Sequence, residues 1–290
     1  MVSITQRKKG KQNYHYLIHK TTIRQYEKYL GKVIPENIEQ IKKEFEEEIF
    51  RKEKIPLLEE IKKNYFSHTK TVDPKILKSE YHGFKITHTY STQRIEGSTM
   101  TLGQTKRLLE HNLSSKDTST EDIIEAEQIA IIFDEMLNYK DDITQKLILL
   151  WHEKLFQKTD INNAGSFRRE DVTPYIGKTE YVLWADVIPD IENLLDWYKE
   201  NKKTMNPVAI SARFHRRFEL IHPFIDGNGR IGRMIMLLIL HQNKYPMLNI
   251  EPKEKDTYVK KLESSYLQDN GFIFVKWFVS KYLRDHKKYC

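Results

Sequence analysis

His222-Pro223-Phe224-Ile225-Asp226-Gly227-Asn228-Gly229-Arg230-Ile231-Gly232-Arg233 is the stretch on which the reading of this 290-residue chain turns. Before it, Ile210, Phe214, Phe218 and Ile221 recur in steps of three and four, the apolar stripe of an amphipathic helix. Pro223 stops that helix, because proline disfavours helical geometry in the residue before it and lacks an N–H. Gly227, Asn228 and Gly229 make a turn that tolerates positive φ and close approach of another group. A strongly apolar helix follows, with Ile231, Met234, Met236, Leu237, Leu238 and Leu240. A glycine-rich turn opening a helix offers free N–H groups and the positive end of the helix dipole, hence an anion site. Arg230 and Arg233, three residues apart, both reach from the first turn toward that anion. Asp226 is a hard oxygen ligand suited to Mg²⁺ shared with phosphates. His222 stands at the lip as a titratable base. The set suits phosphoryl or nucleotidyl transfer. A bland reading, a capped helix and a tight turn, leaves the Asp, the Asn and both arginines unexplained.

Working outward, the periodicity predicts helices over 36–51, 55–66, 74–94, 101–111, 120–138, 142–158, 187–202, 206–221, 229–243, 254–266 and 271–286, with Thr101, Thr120 and Asp142 as N-caps. Residues 1–35 read instead as a small antiparallel sheet. Val2 and Ile4 alternate with polar residues, Tyr14, Tyr16 and Ile18 do so after a Lys-Gly-Lys turn, and a third run starts at Thr22-Ile23. Gly165, Pro174 and Gly177 punctuate a β-rich hairpin between Lys158 and Ala185. The expectation is a mainly α protein: a β/α extension over 1–70 and a helical domain over 71–290 that carries one hairpin.

Composition narrows the classes. Hydrophobic residues are 39% and charged residues 31%, enough for a core and a charged surface, while 11 Gly and 9 Pro exclude collagen-like and low-complexity chains. No apolar run reaches the 18 or so residues of a membrane span, so no membrane partner is expected. The polar, basic start (MVSITQRKKGK) is unlike a signal peptide, and the single cysteine, Cys290, excludes an internal disulfide; a cytoplasmic setting is expected. The net charge of +7 permits nucleic-acid partners without demonstrating them.

The segment from His222 to Arg233 resembles the signature of the Fic family, H-x-F-x-[D/E]-G-N-G-R-x-x-R, and every defined position is matched. The resemblance extends over roughly residues 82–286. Gly165-Ser-Phe-Arg168 and Val172 look like the lead into the family's β-hairpin flap, which holds a target segment by strand addition. It implies a flap at about 172–177, with Val172, Thr173 and Tyr175; Pro174 departs from the commoner apolar pattern. The implied activity is protein AMPylation: AMP passes from ATP, with Mg²⁺ or Mn²⁺, to a Ser, Thr or Tyr hydroxyl of a target protein, and pyrophosphate leaves. The resemblance makes His222 the general base and Asp226 the metal ligand. It gives the α-phosphate to the Gly227–Gly229 amides with Asn228, the β-phosphate to Arg230 and the γ-phosphate to Arg233. It also puts Tyr258 and Tyr266 on the helix that lines the family's nucleotide pocket, although two helical tyrosines are more often core.

Ser91-Thr92-Gln93-Arg94-Ile95-Glu96-Gly97 matches the family's inhibitory pattern, [S/T]-x-x-x-E-[G/N], at the end of a helix over about 82–97. The resemblance implies that Glu96, with Thr92 in the same motif, reaches Arg233 and takes the fork that the γ-phosphate needs. His215, His152 and His241 read as buried supports rather than metal ligands. Two alternatives stay open. The same site suits removal of AMP by a water that Glu96 orients, or another nucleotide; and the extension suits a binding module, since Arg7, Lys8, Lys9 and Lys11 cluster there. The target is an unidentified protein, the chain itself included, and a homo-oligomer is compatible with the sequence.

Overall fold

The computed structural model describes residues 2–173 and 180–290. Contacts divide the chain into two compact units, Met1–Glu59 and Glu60–Cys290.

In the first unit β1 (Ser3–Lys9), β2 (Gln12–Lys20) and β3 (Gln25–Gly31) form an antiparallel sheet in the order β1-β2-β3. The period-two alternation turns Leu17 inward, where it packs with Phe45 and Ile49 of α1 (Ile38–Thr71) and with Ile4, Tyr26 and Leu30. The third strand starts later than Thr22. The Thr21 hydroxyl accepts from the N–H of Ile23 and of Arg24, each at 3.2 Å, and this turn delays extended backbone to Gln25. The two helices expected over 36–51 and 55–66 are one, α1, with Pro56 inside it. An internal proline costs ~3 kcal/mol, and the buried Leu58, Ile61 and Tyr65 that follow offset it.

The second unit holds the remaining helices: α2 (Pro74–Ile95), α3 (Leu102–His111), α4 (Thr120–Asn138), α5 (Gln145–Phe156), α6 (Val187–Asn201), α7 (Pro207–Ile221), α8 (Asn228–Gln242), α9 (Lys255–Leu267) and α10 (Phe272–Asp285). Its centre is α8, buried from Arg230 to Leu240 on every side. Helix α7 packs along α8 and also meets α6 and α10, while α2 packs on α4 and touches α8. Ile210, Phe214, Phe218 and Ile221 of α7 are all buried, as their spacing predicts. Thr101 caps α3 in a capping box with Gln104. The caps of α4 and α5 are Ser119 and Thr144 rather than Thr120 and Asp142. Their hydroxyls accept from Asp122 N at 3.0 Å and Leu147 N at 3.2 Å, and in each case it is this nearby cap-competent residue that holds the extended backbone. Among the described residues no helix is long and apolar enough to cross a membrane.

Val172 and Thr173 carry no regular structure, and Tyr175, with the rest of the expected flap hairpin over 174–177, lies outside the described residues.

The start of α9, which lines the site below, is fixed by Lys281 of α10. Its ammonium is 1% exposed and donates to Glu254 at 2.5 Å and to Asp285 at 2.6 Å. Removing one member of such a pair leaves an uncompensated charge. Lys281→Ala is expected to lower unfolding stability by ~3 kcal/mol, read from the urea midpoint; a change within error would show that the pair does not hold α9.

Candidate active site

Seventeen residues from α2, α7, α8, α9 and the loops beside them enclose a cavity of about 470 Å³. Among them are Glu96, His222, Asp226, Gly227, Asn228, Gly229, Arg233 and Tyr258. Arg230 does not line the cavity but pairs with Asp226, which does.

His222 ends α7 in the left-handed conformation (φ 48°, ψ 60°), its N–H donating to Phe218 O at 3.0 Å. That conformation is unfavourable for a side-chain-bearing residue, and leaving the helix there carries the imidazole into the cavity wall. Tyr181 stacks on the ring at 3.9 Å and 7°. The buried Arg168 holds the same corner. Its N–H donates to Pro223 O at 2.9 Å, its Nε to His222 O at 2.8 Å, and its Nη2 to Val182 O. Burial lowers the His222 imidazole to a pKa of about 4, so it is neutral at neutral pH.

The loop from Phe224 to Asn228 is closed by Asn228. Its Oδ1 accepts from Phe224 N at 2.9 Å and its Nδ2 donates to Phe224 O at 2.8 Å. Gly227 has φ +83°, open to glycine, and a Cβ there would also collide with the Phe156 ring. Of the two properties expected of this turn, Gly229 uses close approach rather than positive φ. It sits in the first turn of α8, and a Cβ would run into Glu96 Oε1 and come within 2.7 Å of Arg233 Nη1. The first-turn amides of α8 have no intrahelical partners, which leaves their N–H groups available to an acceptor at the helix N-terminus.

The arginines are both buried and both held by carboxylates. Arg233 Nη2 donates to Glu96 Oε1 at 2.5 Å, Nε to Thr92 Oγ1 at 2.9 Å, and Nη1 to Tyr258 Oη at 3.5 Å. Arg230 Nη1 donates to Glu125 of α4, and Nη2 pairs with Asp226 Oδ2 at 2.7 Å. Burial opposes the charge on Arg233, but the Glu96 carboxylate outweighs it and raises its pKa. Burial likewise pushes Asp226 up, and Arg230 more than reverses this, leaving its carboxyl below the ordinary range. The Asp226 side chain is 61% exposed at the cavity mouth. Among the described residues no group of three His, Cys, Asp or Glu is gathered to hold a metal. A lone, ionised, accessible carboxylate fits Mg²⁺ that draws its other ligands from phosphate and water.

Tyr258 lines the cavity, and its hydroxyl bonds to His215 Nε2 at 2.7 Å, so His215 is the buried support expected. Tyr266 does not line it. Its hydroxyl donates to Arg216 O at 2.8 Å, a brace between α9 and α7. His152 takes part in the site from below: Nδ1 accepts from Gly165 N at 3.0 Å, Nε2 bonds to Asp226 O at 3.1 Å, and the ring stacks on Phe224 at 3.7 Å.

Glu125, Tyr181 and Glu219 are site residues that sequence reading missed. Glu219 carried a signal, since it lies one turn before His222 on the buried stripe of α7 and is a carboxylate there. Its side chain lies 3.7 Å from His215 Nε2, and burial raises its pKa to about 7. Glu125 and Tyr181 carried none, because tertiary packing alone brings them in.

Residues 142–240 match the Fic/DOC family model. A protein adenylyltransferase Fic of Drosophila yakuba is 33% identical over 175 residues, which are 59% of this chain and 35% of that protein. This chain thus spans about a third of the length of the curated relative. Among solved structures, a Fic domain containing signaling protein from Bacteroides thetaiotaomicron superposes with TM-score 0.72 at 24% identity, over 79% of this chain and 95% of that one. Fic-1 of Caenorhabditis elegans (residues 134–508) superposes with TM-score 0.74 at 23% identity, over 87% and 75%. These two likenesses concern the fold.

Burial holds four histidines around the site neutral: His88 and His215 fall to a pKa of about 3, His152 and His222 to about 4. Each titrates near ~6.5 when unfolded, so below that pH the unfolded chain binds more protons. Stability is therefore lost as pH falls from about 6.5 toward 4, by up to ~1.4 kcal/mol per pH unit for each histidine. Urea midpoints are expected to drop steadily from pH 7 to pH 5, and less steeply in His88→Asn. A flat profile over that range contradicts neutral burial.

Proposed function

Taking residues 142–240 as a Fic/DOC-family domain, we propose that the chain is a self-inhibited protein adenylyltransferase that moves AMP from ATP to a Ser, Thr or Tyr hydroxyl of a protein. The observation that carries the inhibition is the 2.5 Å contact of Glu96 with Arg233. The cavity offers the triphosphate the N-terminus of α8 and the Arg233 guanidinium, with Arg230 paired to the lining residue Asp226, and guanidinium suits phosphate oxygens in bidentate geometry. In the closed state each guanidinium already has a carboxylate partner, and Glu96 stands against Gly229 where nucleotide has to approach.

In the reaction the neutral His222 imidazole takes the proton of the target hydroxyl. The hydroxyl oxygen bonds to the α-phosphorus, the bond from that phosphorus to the oxygen bridging the β-phosphate breaks, and pyrophosphate departs with the electron pair. The first amides of α8 face the charge that develops at the α-phosphate. Arg230 serves the β-phosphate after exchanging Asp226 for it, and Arg233 the γ-phosphate after exchanging Glu96. Asp226 is the residue to hold Mg²⁺, which when bound offsets phosphate charge. Tyr258 supports Arg233 from the cavity floor. Val172 and Thr173 lead into the segment to which strand addition of the target is assigned.

Mass spectrometry of the chain after incubation with ATP and Mg²⁺ tests this through self-modification. Glu96→Gly is expected to transfer AMP about 30-fold faster than wild type or more, the factor that ~2 kcal/mol of lost closed-state pairing gives. His222→Ala in the Glu96→Gly background is expected to bind ATP and to transfer nothing detectable. Arg233→Ala in the same background is expected to be inactive. A Glu96→Gly chain no faster than wild type removes the brake from the proposal. Loss of AMP from a modified target in the wild-type chain moves the reading to hydrolysis on the same site.

A further inference from the structure

The chain's whole positive excess lies in its first 35 residues. They hold eight Lys and Arg against one acid, Glu27; of the totals of 48 and 41, the remaining residues hold forty of each. These 35 residues are the three-stranded sheet and its turns. One face carries Ile4, Leu17 and Leu30 onto α1. The other is set by the register, which pairs Thr5 with Tyr16, Arg7 with Tyr14, and Tyr16 with Tyr29. On it the rings of Tyr14 and Tyr29 are 6.1 Å apart and those of Tyr16 and Tyr29 5.3 Å, all tilted, and Tyr29 is 56% exposed. Arg7 lies over the Tyr16 ring at 4.9 Å and forks onto Glu27 at 2.6 and 2.8 Å. Lys8, Lys9 and Lys11 stand exposed at the β1–β2 turn beside it.

Of the three tyrosines, Tyr14 and Tyr16 are half-buried by their neighbours and Tyr29 is left exposed. An aromatic row with an exposed ring, flanked by cations, is the surface that takes a single strand, with bases stacking on rings and phosphates meeting the basic groups. We propose that this face binds single-stranded nucleic acid, with Tyr29 as the main stacking platform and Arg7 and the lysines of the β1–β2 turn on the backbone. A duplex keeps its base faces internal and has nothing to stack on Tyr29. An acidic peptide satisfies the lysines but leaves the rings unused. A lipid surface calls for apolar side chains that project into the acyl region, and this face offers hydroxyl-bearing rings.

The test uses the full chain and fluorescence anisotropy with labelled oligothymidylate, oligouridylate and a duplex of equal length. Wild type is expected to bind the single strands in preference to the duplex, with affinity falling as salt rises, by a log–log slope of about −0.7 for each phosphate engaged. Tyr29→Ala is expected to weaken binding about 5- to 100-fold and Tyr29→Trp to retain it, as stacking requires, with thermal melts unchanged because the side chain is exposed. The proposal is overturned if wild type binds no single strand, or if Tyr29→Ala binds as well as wild type. It is overturned equally if polyglutamate or phosphatidylserine vesicles displace the probe as effectively as unlabelled oligonucleotide, which would make the face a general anion or membrane surface.

Discussion

The Glu96–Arg233 pair is the interaction around which the second unit is arranged. Arg233 is 2% exposed, and a guanidinium so buried is tolerable only with its donors met. Helix α2 meets them with Glu96 and, one turn earlier, Thr92. This accounts for an odd property of α2. Its buried stripe is largely polar, with His88, Thr89, Ser91, Thr92 and Gln93 beside Ile86 and Ile95. An ordinary amphipathic helix would be apolar there. Gln93 Oε1 also accepts from Arg230 Nη1 at 3.5 Å, so one helix face supplies acceptors to both arginines of α8. The lack of a side chain at Gly229 is the matching concession on α8.

Because both arginines are already desolvated and paired, a phosphate that replaces a carboxylate need not strip water from them. Preorganisation of this kind lowers the cost of binding an anion. The two exchanges differ, though. Arg230 sits between Glu125 and the exposed Asp226 and lies over the Phe156 ring at 4.9 Å, so losing Asp226 leaves it a carboxylate and an aromatic face. Among the described residues Arg233 has Glu96 as its one carboxylate within salt-bridge distance, with Thr92 and Tyr258 as neutral acceptors. Withdrawing Glu96 thus leaves Arg233 with neutral acceptors, whereas withdrawing Asp226 leaves Arg230 paired with Glu125.

Helices were legible wherever an inward stripe persisted, and in the second unit their bounds lie within about three residues of the periodicity. What periodicity cannot supply is the balance between a local penalty and distant packing. Pro56 marked a break that burial beyond it overrode, and nearby hydroxyl residues that can also cap displaced two caps by one and two residues. The signature segment was legible because its chemistry is local: a base, a carboxylate, a turn and two cations within twelve residues. Glu125 and Tyr181 complete the site from 105 and 41 residues away and follow no spacing rule. His152 was read as a buried support, and the reading was right about burial. Its link to the Asp226 carbonyl depends on how α5 crosses the loop, which no single-chain pattern encodes.

Glu96 and His222 rest on separate supports. His222 is fixed through the backbone: the end of α7, the hydrogen bonds that Arg168 donates to His222 and Pro223 carbonyls, and the stacked Tyr181 ring. Glu96 is the residue after the last turn of α2, with its N–H on Gln93 O and Gly97 turning away at φ +107°. Its carboxylate is held by the arginine, whereas the helix behind it is held by Ile95, Gln93 and Thr92, all buried. Withdrawing that carboxylate asks for rotation about side-chain bonds, with α2 and the Thr92–Arg233 contact left in place. Such a rotation leaves the supports of His222 and the N-terminus of α8 as they are, so the carboxylate of Glu96 is separable from the rest of the site within one folded state.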